Sequence, residues 1–290
     1  MKAYDMTDLA LERKISGQKN LKPAFKKSER IGNTVISEIV IENGEEKSNE
    51  NYITIEQKGL WGRDGAELEE LTDIISEKLK EMVKRVCGCE MNCDFSLLVA
   101  GLGNSEITAD SIGPLTVKNL TVTRHLKSFE PRIYNELGSC EISAFSPGVL
   151  GQTGIESAEL ILGAVKTSAP DLLIAVDALA ARSCERLASV VQISDAGIRP
   201  GSGIGNMRME ISKRSLGIPV ISIGVPTVVN SSTLVYDVLR NAGMEQIDSD
   251  IERILESGRS FFVTPKESDI MSKKLSIIIA ESIEKAFLIN

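Results

Sequence analysis

Short apolar runs, each stopped by a glycine or an acid, alternate along this chain with segments of helical spacing. Phe95 to Ala100 leads into Gly101-Leu102-Gly103-Asn104, and Leu172-Leu173-Ile174-Ala175-Val176 stops at Asp177. Val190 to Ile193 and Pro219 to Val225 are two more such runs. An apolar run without polar alternation suits a strand buried on both faces, which is the environment of a parallel sheet between helices. Between the runs, residues 65–86 place Leu68, Leu71, Ile74, Ile75, Leu79, Met82 and Val83 at helical spacing. Residues 155–166 and 266–288 also read as helices, and one helix is expected after Asn104, running through Leu126. Repeated strand-helix units predict an α/β fold with a mostly parallel central sheet flanked by helices.

The N-terminal part reads differently. Residues 1–30 are polar and irregular in pattern. Val35 to Ile41 and Tyr52 to Ile55, separated by Asn43-Gly44 and charged residues, predict an additional small antiparallel β segment, a hairpin around residues 34–56. At 290 residues, one large domain can hold the whole chain.

A net charge of -8 argues against direct nucleic-acid binding, which needs clustered Lys and Arg. No apolar run approaches the ~20 residues that span a bilayer. Met1 to Glu12 has no apolar signal core. Cys87, Cys89, Cys93, Cys140 and Cys184 are odd in number, as expected of reduced thiols in a cytoplasmic protein. The spacing of Cys87, Cys89 and Cys93 is not that of a zinc site, and no nearby His completes a tetrahedron.

Ligands of such sheets bind beyond the carboxyl ends of the strands. Asp177 ends one apolar run, and Asp110 follows another just before Ser111-Ile112-Gly113-Pro114. Two carboxylates brought together there cannot easily ionise at once, so one keeps a proton and the pair offers an acid and a base. The plainer alternative makes both residues helix caps. Gly101 and Gly103 permit close backbone approach, and with Asn104 they form a candidate substrate-binding or oxyanion loop. Glu106 stands where a dinucleotide fingerprint needs its third glycine, and Pro200 to Asn206 is a flexible loop without a P-loop ending. His125, the only histidine, lacks a partner serine motif and is expected near the end of a helix. No cofactor or metal is expected.

Several longer segments resemble the germination protease family of spore-forming bacteria. They include residues 101–104, 108–114, 122–126, 147–156, 177–182, 192–206, 217–229 and 261–267, so that the likeness covers nearly the whole chain beyond residue 6. The resemblance implies an atypical aspartic endopeptidase with Asp110 and Asp177 as its catalytic pair. It also implies a fold similar to the hydrogenase maturation peptidases, whose acids at the same strand ends hold a metal. The implied substrates are small acid-soluble spore proteins, cut in the spore core at germination, and the implied assembly is a homotetramer. The family's recognition sequence is an acid, a large apolar residue, Ala, any residue and Glu. Asp8-Leu9-Ala10-Leu11-Glu12 repeats it, so residues 1–8 are expected to be a propeptide removed by self-cleavage at Asp8–Leu9, leaving a peptidase domain of residues 9–290. A metal-dependent peptidase and a non-catalytic binder of the spore proteins are the alternatives.

Overall fold

The computed structural model describes residues 6–12, 23–43, 48–62, 64–89, 91–202, 208–244, 248–257 and 261–288. Gly44 of the Asn43-Gly44 turn and Gly203 to Asn206 of the second loop lie outside the described residues.

Three antiparallel strands come first: β1 (Pro23–Ile31), β2 (Thr34–Asn43) and β3 (Ser48–Glu56). β1 corrects the expectation of irregular structure before residue 30. It is an edge strand whose residues 26–31 are exposed or half-buried, so it carries no apolar alternation. Its pairing with β2 through the two-residue turn Gly32-Asn33 holds it instead, with Gly32 at φ +54°.

The long helix α1 (Ala66–Cys87) follows, as its spacing predicts. It buries Leu71, Ile75, Leu79 and Met82, and stops at Gly88, a left-handed cap whose N–H donates to the Lys84 carbonyl. β4 (Ser96–Gly101) comes next. The single helix expected through Leu126 is in fact broken. A short 3-10 turn (Thr108–Asp110) precedes α2 (Ile112–Asn119), and α3 (Arg124–Phe129) and α4 (Pro131–Leu137) come after it. The break falls at Leu120, whose backbone is extended, and β-branched Thr121-Val122-Thr123 follow it. His125 therefore sits at the start of α3.

β5 (Glu141–Phe145), α5 (Leu150–Thr153) and α6 (Ser157–Ser168) lead to β6 (Leu172–Ala181). β7 (Val190–Ser194), α7 (Lys213–Leu216) and β8 (Val220–Asn230) complete the central strands. The remainder is α8 (Ser231–Asn241), α9 (Ser249–Ser257), β9 (Phe262–Val263) and α10 (Ser268–Ala286).

All nine strands form one mixed sheet in the order β1-β2-β3-β7-β8-β6-β4-β5, with β9 on β8. β8, β6, β4 and β5 make a parallel block, and β7 joins it antiparallel to both β3 and β8. The link from β6 to β7 is too short to carry the crossover helix that a parallel strand needs.

The two faces of the sheet are covered differently. One face lies under α1, α2 and α10, where Leu79, Met82, Leu275 and Ile279 pack on Leu97, Ile174, Ile193 and Ile223. On the other face, α6 and the end of α7 cover Leu98, Ala100, Leu173, Ala175 and Val220. The rest of that face, over β2, β3, β7 and the end of β6, has no helix.

α2 begins unusually close to the strand ends. A Cβ on Gly101 would stand 2.2 Å from the Gly113 carbonyl oxygen, and one on Gly113 would stand 2.2 Å from that of Leu102 and 2.5 Å from that of Val176. Both obstacles are backbone, so Gly113→Ala should push α2 off the sheet. The expected loss is about 1–3 kcal/mol or more, read as a lower urea midpoint with unchanged slope. An unchanged midpoint would show that α2 has room to move.

Candidate active site

β6 does not stop at Asp177. It continues to Ala181, so Asp177 is a strand residue and caps no helix. Asp177 pairs with Gly224 on β8, and Gly224 pairs with Gln192 on β7. Paired residues of adjacent strands share a face. Asp177 and Gln192 therefore flank a glycine on the helix-free face, two strand spacings or about 9–10 Å apart. The Leu179 side chain lies over Gly224, where a Cβ would stand 2.4 Å from it.

Asp110 reaches the same place from the turn before α2. Its Oδ2 accepts the Asn104 N–H at 2.8 Å, and its own N–H donates to Ile107 O. Gly103 makes room for it: φ there is +107°, and a Cβ would stand 2.1 Å from Asp110 O. The Thr227 hydroxyl, from β8, donates to Ala109 O at 2.6 Å and ties this turn to the sheet. Asp110 and Asp177 thus line one cavity of about 900 Å³, together with Gly103, Gln192, Thr227 and Asp8.

The loop of Gly101, Gly103 and Asn104 serves this geometry directly. Leu102 N–H donates to Val176 O, and Asn104 N–H is directed at Asp110, so two of the loop's donors are already committed.

The two carboxyls differ electrically. Burial pushes the Asp177 pKa well above the ordinary 3.8, and the charges of Asp110 and Asp8 raise it further, against one hydrogen bond from Ala178 N–H. Burial also raises Asp110, but the Asn104 N–H opposes the shift. Of the two, Asp177 is the carboxyl more strongly biased towards its protonated form.

Asp8 and Leu9 both lie on this face. Asp8 N–H donates to Ala180 O at 2.9 Å, and Ala180 N–H donates back to Asp8 Oδ2 at 2.9 Å. The Ser202 hydroxyl donates to Asp8 Oδ1 at 2.7 Å. Leu9 is fully buried among Leu179, Ala181 and Val190, and Ala10 packs on Ile39, Ile41 and Tyr52. Burying Leu9 alone stabilises this docking by about 1.5–3 kcal/mol.

Sequence reasoning missed Gln192. Its amide oxygen accepts the Ala10 N–H at 2.8 Å, and its Nε2 donates to Asp8 O at 3.3 Å. Only the register of β7 on β8 reveals that it faces Asp177.

The other singled-out residues lie elsewhere. His125 lines a separate cavity beside Arg124 and Glu141. Cys89 and Cys93 are exposed thiols, and burial pushes half-buried Cys87 up to about 11. Among the described residues, no three His, Cys, Asp or Glu side chains form a group suited to a metal ion. No helix among them is long and apolar enough to cross a membrane.

The family model described as Germination protease matches residues 2–250. A germination protease of Caldanaerobacter subterraneus subsp. tengcongensis is 39% identical, over 97% of this chain and 93% of the relative. That of Clostridium acetobutylicum is 35% identical, over 98% and 93%, and that of Bacillus subtilis (strain 168) is 40% identical, over 88% and 73%. The likeness defines a protease built on an α/β sheet. More narrowly, the chain belongs to the germination protease family.

A carboxyl whose pKa rises on folding favours the fold below its unfolded pKa, and that contribution is lost as pH climbs through the folded value. Asp177→Asn keeps the Oδ1 that accepts Ala178 N–H and removes this pH-dependent loss. Its melting temperature should exceed that of the unaltered chain by a margin that widens as pH rises above the ordinary carboxylate pKa of 3.8. Parallel melting curves across that range would show that Asp177 is not buried as described.

Proposed function

We propose that the chain is an aspartic endopeptidase, with Asp110 as base and Asp177 as acid, made as a zymogen that cuts its own Asp8–Leu9 bond. One observation carries this reading: Asp8 lines the aspartates' cavity while its backbone is held on both sides. Ala180 O takes its N–H, and the Gln192 amide donates to its carbonyl oxygen.

In the proposed reaction, ionised Asp110 draws a proton from water as the water oxygen bonds to the Asp8 carbonyl carbon. The Gln192 amide donor stabilises the charge that grows on the carbonyl oxygen. Asp177 gives its proton to the Leu9 nitrogen as the C–N bond breaks. The pair ends with the proton on Asp110, and a transfer back to Asp177 restores it.

The substrates proposed are the small acid-soluble spore proteins, cut in the forespore and spore core by a homotetramer. The family supports that setting, and the net charge of -8 fits an enzyme that acts on protein rather than on DNA.

Incubation of the full chain, followed by N-terminal sequencing, should give a new start at Leu9. Added spore protein should acquire new termini in mass spectra. Asp110→Asn and Asp177→Asn should each slow both cuts by about 10²–10⁴-fold. Near-normal cutting by either variant would remove that residue from the chemistry, and a different new start would reject the Asp8–Leu9 site.

A further inference from the structure

β8 is paired on both sides, by β7 and by β6, and still carries a proline in its middle. Pro226 has no N–H for a ladder, and a central strand accepts such a residue at a bulge. The pairing with β6 shows one. Leu179 stands opposite Pro226 and Ala180 opposite Val228, so Thr227 is an extra residue with no partner on β6. Its carbonyl oxygen accepts the Thr264 hydroxyl instead, at 3.0 Å.

A bulge beside a site re-aims a side chain. Thr227 is buried in the wall of the aspartates' cavity, and its hydroxyl donates to Ala109 O at 2.6 Å. That oxygen belongs to the Ala109–Asp110 peptide group, whose N–H donates to Ile107 O at 2.8 Å. Both polar ends of this peptide are therefore fixed, one within the turn and one from the sheet. The preceding carbonyl, Thr108 O, accepts the Ser111 hydroxyl at 2.8 Å and the Ser272 hydroxyl of α10 at 3.1 Å. Those two bonds tie the turn to helices. The Thr227 bond ties it to β8, just beyond Gly224, which pairs with Asp177. The two carboxyls thus take their places from one strand.

We propose that Thr227 is a positioning residue for the peptidase reaction: its hydroxyl fixes the Ala109–Asp110 peptide and so holds the Asp110 carboxyl in place beside Asp177. The effect on rate rests on the peptidase reading above; the effect on Asp110 does not. Without the hydroxyl the turn can shift, and a misplacement of about 1 Å costs up to about 100-fold in rate. The donor is what matters, so serine can serve and valine, of nearly the same shape, cannot.

Two measurements test it. The first is hydrogen exchange in the uncut Asp177→Asn chain, read at the Asn104 N–H that Asp110 accepts. Adding Thr227→Val should speed that exchange by about 10-fold, the loss of a hydrogen bond to a charged group. Amides within β4 and β6, and the Asp8 N–H that reads docking of the segment, should keep their rates. The second is the rate of self-cleavage at Asp8–Leu9 with Asp177 in place. Thr227→Val should slow it by about 10- to 100-fold, and Thr227→Ser should recover most of the rate and of the Asn104 protection. Unchanged exchange at Asn104 overturns the positioning role. An equal rise throughout β4 and β6 overturns it too, by making Thr227 a residue of general packing, as does a Thr227→Ser chain that behaves like Thr227→Val. Faster exchange at Asp8 moves the effect to docking and overturns it as well. Changed Asn104 exchange with unslowed cutting overturns the role in the reaction. If the unaltered chain does not cut itself, the peptidase reading falls and the role in the reaction with it, while exchange at Asn104 still decides whether Thr227 places Asp110. Thr227→Ala, which also lacks the donor, takes the place of Thr227→Val should that chain not fold.

Discussion

Everything at this site depends on how closely the backbone before α2 approaches the ends of β4 and β6. Side chains at Gly101 or Gly113 would collide with main-chain atoms, and one at Gly103 would collide with Asp110 itself. With no Cβ at these positions, the turn carrying Asp110 settles directly against the strand carrying Asp177. The same closeness buries both carboxyls, which is the first cause of their raised pKa values. Packing and acid-base character therefore have one origin. The asymmetry of the pair also follows from local structure, because the Asn104 N–H points at Asp110 while Asp177 is more deeply desolvated.

A second constraint comes from the sheet. A parallel block needs cover on both faces. Three helices supply it on one side, and α6 supplies part of it on the other. Over β2, β3, β7 and the end of β6 the cover is the segment of residues 6–12, which turns back at Leu9 to Glu12 through the Glu12 N–H donating to Leu9 O and buries Leu9 and Ala10 on Leu179, Val190, Ile39 and Tyr52.

Much of this was legible in the sequence. Unbroken apolar runs announced β4, β6 and β8, and helical spacing announced α1 and α10, because burial writes those patterns directly. β1 was hidden because Lys26 to Arg30 pairs through its backbone on a wet edge, where the side chains carry no pattern. The second half of β6 was hidden because Ala178-Leu179-Ala180-Ala181 is poor in strand formers. Asp110 and Asp177 stood out as acids following apolar runs. Gln192 did not, since its place beside Asp177 is defined by cross-strand register. Position relative to the sheet, and not residue type, puts it there.

The proposed chemistry needs Asp177 to stay protonated while the groove exchanges one peptide for another. The charge of Asp8 supplies part of the answer, because it raises the Asp177 pKa beside the bond to be cut. On the proposed reading, a substrate with an acid in the place of Asp8 would bring that charge back. In that proposal the acid before the cut bond and the protonation of Asp177 are linked, because the same charge that marks the peptide disfavours a second carboxylate beside it.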